Sequence, residues 1–492
     1  MRVKIVFALL LVLFVGYGGL AASRERPAHN APPPPAHSAS AALSASAPAL
    51  SASAPAASAS APVADAGPVK LFDRPLRVVS LGWDLAAPAL LANGGLEPAP
   101  TSDFTAAGLD VHVGPVDAMA AVEGALARGG ADKDGADIAV IPFSSLVASY
   151  EQLRALAPEA FFVVGFSRGR EALVSTKDVL PAPSIDPKAT VSMVGVAGEP
   201  ATFLGLFALD QNGVPPSVVR LIAPAAARAD DPALGAIDRG QTRDTGARRN
   251  ILLTTADASR LVPFVAVAQR GLVEKHGKAL SAFARVWLEA SKKLGDDPPT
   301  AARRIASVSG APEPIALLKR LGDIAPASLS DNARLVGLSG RGALSLDVLF
   351  QETWRLYRAA GMLATPAPDL APISGGVIAS LVRQSPSLVA PSRQVKGTSA
   401  AADAQKALIT FRQAEGKGDE AALITQTALF ADLFERSALR VAVVKGGAVD
   451  AAATKKLIEA VEQRFDVAPG RVTAAKKVVP RASGAVEILA AP

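Results

Sequence analysis

The chain has 492 residues, half of them apolar and a fifth charged, with a formal net charge of +6. That is enough material for two or three domains around a large core, and the charge is too weak and too dispersed to point to nucleic acid. There is no cysteine, which excludes disulfides, thiolate metal sites, a cysteine nucleophile and a lipid-modified N-terminal cysteine.

Arg2 and Lys4 precede an uncharged, mainly apolar run from Ile5 to Leu20, which ends in the small residues Gly18-Gly19-Leu20-Ala21-Ala22. A positive start, apolar middle and small-residue end predict a secretory signal peptide over 1–22. The run is nearly long enough to cross a bilayer, so an uncleaved signal anchor in the membrane is the competing reading. Either one exports the rest to a periplasmic or other extracytoplasmic space. In the segment 23–72 the chain is nearly all Ala, Ser and Pro from Ser23 to about Val69, and Ser-Ala-Ser-Ala-Pro recurs between Ser44 and Pro62. Such a segment buries too little to offset its ordering entropy. It reads as a disordered, semi-stiff linker of roughly 3.1 Å per residue.

The globular chain opens with a strand from Val78 to Leu81, interrupted by Gly82-Trp83-Asp84. A helical segment, Leu85 to Ala92, then stops at Asn93-Gly94-Gly95. Leu109 to Val113 reads as a second strand and Val116 to Ala127 as a helix. Asp137 to Phe143 is a third strand that ends in Ser144-Ser145. Ser149 and Gln152 have capping-box spacing for a following helix. Ala160 to Phe166 is a fourth strand, followed by Ser167-Arg168. This alternation argues for a parallel sheet with helices on its faces.

A second, similar series begins at Val191 to Val196. Glu199 and Pro200 read as the N-cap and first position of a helix over Ala201 to Asn212. Val218 to Ala223 and Asn250 to Thr255 are further strands, and the charged interval Ala225 to Arg249 reads as part helix, part surface loop. Leu261 to Ala268 is apolar and extended. Helices over Ala279 to Leu294 and Ser345 to Ala360 each carry one apolar stripe, with Trp287 and Trp354 on it as core residues. Together these predict a two-lobed α/β fold: residues 73–170 and 261–395 form one lobe and 171–260 the other. The cleft between such lobes is a common ligand site. In residues 396–492, Ala400 to Glu435 reads as two helices broken near Gly416-Lys417-Gly418. A strand (Leu439 to Val444), a helix (Asp450 to Phe465) and strands at Val478-Val479 and Ala485 to Leu489 complete a small α+β appendage.

Several local patterns occur in a familiar order. They are Gly82-Trp83 with Ala92 to Gly95, Gly108 to Val111, Asp137 to Val140, Phe162 to Gly169, Gly195-x3-Glu199-Pro200, and Val265 to Ala268 leading to Lys275-His276. In this order, over Leu76 to Pro372, the chain resembles the periplasmic substrate-binding proteins of ABC importers. The similarity is to the nitrate/sulfonate/taurine type, with the type 2 periplasmic-binding fold. The resemblance implies a cleft that closes on a small polar or anionic solute and hands it to a permease in the membrane. It implies contacts from Trp83, Asp84, Ser144, Ser145, Ser167 and Arg168 in one lobe. The other lobe would give Glu199 with the backbone N–H groups of Ala201 and Thr202, then Thr254, Thr255 and Asp257.

Strand-end hydroxyls and a helix N-terminus are fixed donors that need little reorganisation on binding, and Arg168 suits a carboxylate, sulfonate or phosphate. The plainer alternatives are a packed indole for Trp83, helix capping for Ser144 and Ser145, and a surface turn for Arg168. Glu199 departs from the family, which places a small hydroxyl residue there. A carboxylate at a helix N-terminus competes with an anionic ligand, so an amine-bearing or zwitterionic solute becomes an alternative. The C-terminal appendage also resembles the start of a peptidoglycan-binding domain like that of outer-membrane protein A. It lacks that domain's Asn…Leu…Arg-Ala helix, and wall binding is not expected.

An enzyme is not expected. Two of the four histidines, His29 and His37, lie in the linker. The chain has no His-Glu-x-x-His, no Gly-x-Ser-x-Gly and no phosphate loop. Neither a cofactor nor a metal is expected. A membrane-tethered sensor or scaffold on the same fold is the main alternative, ahead of an enzyme like those of pyrimidine biosynthesis.

Overall fold

Leu76–Leu81 forms the first strand, and the chain turns through Gly82 (φ 94°) directly into a helix. That helix ends where Gly94 (φ 78°) donates its N–H to the Leu90 carbonyl. A left-handed residue here favours glycine, because it has no Cβ to clash. The computed structural model describes residues 69–176, 190–226, 234–238, 250–386, 389, 407–414, 419–476 and 482–490. The leader, nearly all of the linker, and the expected strand at Val478-Val479 lie outside the described residues. So does the expected helix break at Gly416-Lys417-Gly418. No described helix is long and apolar enough to cross a membrane.

The first elements are β1 (Leu76–Leu81), α1 (Trp83–Asn93), α2 (Asp103–Ala106), β2 (Val111–Val116), α3 (Met119–Arg128), β3 (Ile138–Pro142), α4 (Phe143–Leu153) and β4 (Pro158–Ser167). Next come β5 (Glu171–Ser175), β6 (Val191–Val194), α5 (Pro200–Gln211), β7 (Val219–Ile222), β8 (Leu234–Asp238), β9 (Asn250–Thr254) and β10 (Pro263–Gln269). A helical stretch follows: α6 (Arg270–Lys275), α7 (Gly277–Asp296), α8 (Pro298–Ala306), α9 (Pro314–Gly322), β11 (Ile324–Pro326), α10 (Leu329–Leu335), α11 (Leu346–Ala359) and α12 (Gly376–Gln384). The chain ends with β12 (Ala407–Ala414), α13 (Glu420–Leu433), β13 (Leu439–Lys445), β14 (Ala448–Val449), α14 (Ala451–Arg464), β15 (Val472–Ala474) and β16 (Ala482–Leu489).

The fold is two-lobed α/β with a small C-terminal α+β module. The first lobe's sheet has the order β11-β4-β10-β3-β1-β2 and the second's β7-β6-β8-β5-β9. Neither sheet is purely parallel, which corrects the simple alternating picture. In the first, β1, β2 and β3 run parallel, but β10 returns from the second lobe and inserts between β3 and β4, antiparallel to both. In the second, β6 is parallel to β7 and β8, while β5 is antiparallel to β8 and β9. A second correction is β8: the interval read as helix and loop supplies a central strand.

Two crossings join the lobes. One runs from Ser167 to Glu171 and the other from Thr254 to Pro263. They lie side by side: Ser167 N–H donates to the Val262 carbonyl at 2.9 Å, and Thr255 N–H to the Glu171 carbonyl at 3.1 Å.

One hydrophobic core runs through both lobes and the C-terminal module. Trp287 and Trp354 are fully buried in it. Helix α11 packs against α4 of one lobe and α5 of the other. Its Phe350 packs edge-on to Phe143 of α4, its Tyr357 packs on Phe203 of α5, and its Arg355 pairs with Asp210.

The C-terminal module begins with a strand, β12, where a helix was expected. Its sheet has the order β12-β16-β13-β14, with β15 beside β13. Alanine-rich composition favours a helix in isolation, but seven residues of β12 pair with β16 and that tertiary pairing prevails. The module is seated on both lobes. Thr410 N–H donates to Asn212 Oδ1 at the end of α5 (3.0 Å), and Phe207 stacks on Phe434. On the other side Asp432 takes the Arg334 guanidinium and the N–H groups of Ala343 and Leu344.

Candidate functional site

A cleft of about 950 Å³ lies between the lobes, lined from both sides. This is within the size range of ordinary small-molecule sites. Its lining follows from the two sheets. The carboxyl ends of β1, β2 and β3 deliver Leu81 and Gly82, Asp117, and Pro142. Facing them, the loop after β6 delivers Val196 to Glu199, and the carboxyl end of β8 delivers Asp238. Glu171 joins them because β5 is antiparallel to β8, which pairs Glu171 with Asp238 in register. Helices α1, α4 and α5 all begin at this edge, at Trp83, Phe143 and Pro200.

The candidates divide clearly. Asp84, Ser145 and Glu199 line the cleft. Asp84 stands in the first turn of α1, almost fully buried. Its Oδ2 accepts from Arg170 at 2.6 Å, and its Oδ1 has no hydrogen-bond partner among the described residues. Ser145 donates across the gap to the Gly198 carbonyl at 3.1 Å. Glu199 is the N-cap residue of α5, but its side chain makes no capping bond and stands exposed at the rim. Lost solvation raises its pKa above the usual carboxylate value. The nearby Asp238 adds to the rise, while Arg170 opposes it.

Ser167 and Thr255 lie behind the cleft and serve the crossings. Both hydroxyls donate to Glu171 Oε2, and Thr255 Oγ1 also accepts from the Gly169 N–H at 2.9 Å. Burial pushes the Glu171 carboxyl above its ordinary value. The Ser167 hydrogen bond, Arg170 and Thr255 pull it down, and Asp238 pushes it further up. Thr202 donates to the Val196 carbonyl at 2.6 Å, within its own lobe. Thr254 and Asp257 satisfy one another: the Thr254 N–H and hydroxyl donate to Asp257 Oδ2 at 3.0 and 2.8 Å. Ser144 is buried beside Tyr357. Trp83 is partly buried, with its ring beside Gly310.

Arg168 is exposed and turned away, its guanidinium donating to the Gly322 carbonyl at 2.9 Å. Of the two arginines in this turn, Arg170 reaches the cleft. The turn at Gly169 (φ 89°) separates the two and sends Arg170 inward. Arg170 bonds Asp84 of one lobe at 2.6 Å and Asp238 of the other at 2.9 Å. Burial works against its charge, and Asp84, Asp238 and Glu171 outweigh that cost and hold its pKa above the ordinary arginine value.

Arg170, Glu171, Asp117, Glu123, Asp238 and Arg320 line the cleft without having been candidates. Asp238 closes the strand that was not foreseen, Arg170 and Glu171 are neighbours at the end of the first crossing, and Asp117, Glu123 and Arg320 share no motif. Glu123 accepts from the Ser149 hydroxyl, which sits inside α4 rather than capping a later helix. The described lining therefore holds six carboxyl groups against two arginines. No group of three or more His, Asp or Glu among the described residues has metal-holding geometry.

No family model matches the chain, and no curated protein matches it in sequence. Among solved structures it is similar to the periplasmic nitrate-binding protein NrtA from Synechocystis. That match has 14% identity over 65% of this chain and 93% of that one, with a TM-score of 0.43. It is similar to the aliphatic sulphonate-binding protein SsuA from Escherichia coli at 16% identity, over 60% of this chain and 93% of that one, with a TM-score of 0.40. It is also similar to a putative sulfonate-binding SsuA from Methylobacillus flagellatus at 14% identity, over 64% of this chain and 96% of that one, with a TM-score of 0.43.

Proposed function

We propose that this chain is an extracytoplasmic solute-binding protein. It captures a small polar solute between its lobes and delivers it to an ABC permease. The observation that carries this reading is the cleft itself, a ligand-sized gap walled by strand-end and helix-start residues of both lobes. Asp84, Ser145 and Glu199 are the sequence candidates proposed to meet the solute, with Arg170 bridging the lobes behind them.

Ligand binding to the native state stabilises it by about 2.7 kcal/mol when the free ligand is a hundredfold above Kd. A thermal-shift screen of the purified chain against sulfonates, nitrate, amino acids, polyamines and pyrimidines tests the proposal. Saturable stabilisation without turnover of the solute is the expected result. A flat response to every solute would favour a tethered sensor or scaffold instead.

A further inference from the structure

The cleft walls carry three helix N-termini and a bridging arginine, and acids of this chain stand at all of these except the start of α4, which has none in its first turn. The N-terminus of α1 has Asp84 in its first turn. The N-terminus of α5 has Glu199 at its cap position, a negative charge beside it although the side chain makes no capping bond. Arg170 is held from both sides by Asp84 and Asp238. A helix N-terminus or a guanidinium favours an anion only while its positive charge is unspent. Among the ionised wall groups left over, acids outnumber bases. Asp117 and Glu123 stand on the first lobe's wall outside the Arg170 bridge, and among the described lining residues the further cation is Arg320.

Asp84 provides an independent indication. Its side chain is 1% exposed and lines the cleft. One carboxylate oxygen is bound by Arg170, and the other, Oδ1, has no partner among the described residues. Oδ1 lies against Gly82, another wall residue, where a Cβ would come within 2.6 Å of it. A buried carboxylate oxygen without a donor costs roughly 1–3 kcal/mol, so such atoms are rare unless something else supplies the hydrogen.

We propose that the solute this cleft accepts is an organic cation, whose ammonium or guanidinium group is drawn to Asp84 while Asp117 and Glu123 add negative charge to the wall around it. The inference rests on the solute-binding reading above and specifies its ligand class. An ammonium supplies three donors and a guanidinium five, with none of the acceptor oxygens that these carboxylates would repel. A bare divalent ion is not favoured, since the described acids do not converge in metal-holding geometry.

The test uses the full purified chain and equilibrium binding of L-arginine, putrescine and spermidine. Taurine, ethanesulfonate and nitrate serve as the counter-panel at matched ionic strength. At least one of the three cations is expected to bind saturably. Its affinity is expected to fall about tenfold in Asp84→Asn and also in Asp117→Asn, and to weaken as salt is raised. Asp117 is exposed, so Asp117→Asn reports on the site even where Asp84→Asn disturbs folding. Saturable binding of an anion or taurine with none by the cations would overturn the inference and leave the solute-binding reading standing. A cation that binds equally well to the parent and to both variants would overturn it too. Binding by neither panel would overturn both.

Discussion

Arg170→Met removes the guanidinium that ties the lobes together and leaves both carboxylates behind. Asp84 is 1% exposed and Asp238 15%, and they receive hydrogen bonds of 2.6 and 2.9 Å from Arg170. Breaking a buried pair by deleting one partner costs about 3–5 kcal/mol, because a desolvated charge is left uncompensated. Asp238 is the better solvated of the two and recovers part of this, which puts the expected loss at about 3–4 kcal/mol. Unfolding entropy of ~2.1 cal/mol/K per residue over a folded unit of roughly 400 residues converts each kcal/mol into about 1 °C. The expected fall in Tm is therefore ~3–4 °C. Adding Asp84→Asn removes the stranded charge, and the double variant should regain about half of the loss or more. Urea and thermal unfolding of parent, single and double variants make the measurement. A single variant within about 0.5 kcal/mol of the parent would refute the reasoning.

Glu171→Gln keeps an acceptor for Ser167 and Thr255 and removes a carboxyl that burial holds above its ordinary pKa. Folding disfavours the ionised form of such a group, so stability is lost as pH rises from its unfolded pKa through its folded one. The variant should be the more stable at neutral pH and should converge on the parent below about pH 4; a difference that does not change with pH would contradict this. Arg471→Met should cost about 2–3 kcal/mol in urea unfolding. Its buried guanidinium donates to the carbonyls of Ala431, Phe434 and Ser437 at 2.5, 2.6 and 3.1 Å, and methionine removes all three donors, leaving Phe434 with the Ser437 N–H alone. A neutral effect would mean that water or a shifted backbone replaces it. Arg260→Ala should cost about 1–2 kcal/mol. That side chain joins Glu435 (2.9 Å) and Asp331 (3.1 Å) and lies 4.3 Å above the Phe166 ring. Amide exchange over 255–262 should quicken in this variant; unchanged exchange there would count against the contact.

Apolar runs placed β1, β3, β4, β6 and β10 in sequence because burial on both faces leaves nearly continuous hydrophobic strands. The Leu234–Asp238 strand could not be read this way. Its five residues sit in a charged stretch, and its identity comes from pairing with β6 and β5. The β12 strand failed for a related reason: the stretch around it is Ala-rich, which masks Ile409-Thr410-Phe411, and its partner lies about seventy residues away. At the cleft, local rules placed Asp84, Ser145 and Glu199 at the carboxyl edge, since strand ends and helix starts are visible in sequence. They did not distinguish Arg168 from Arg170, because the turn at Gly169 decides which of the two faces inward. Asp117, Glu123 and Arg320 meet only through tertiary packing, and no spacing between them carries that information.

The seat of the C-terminal module has a mechanical consequence for the cleft. It is pinned to the α5 end of one lobe by Asn212 and Phe207, and to the Arg334 face of the other by Asp432. Any swing that widens the gap must therefore either carry the module as a rider on one lobe, tearing the opposite seam, or stop within the ~1–2 Å of slip that packed side chains absorb. The amplitude of breathing is thus set by how firmly this module holds on to each lobe, and not by the cleft walls alone.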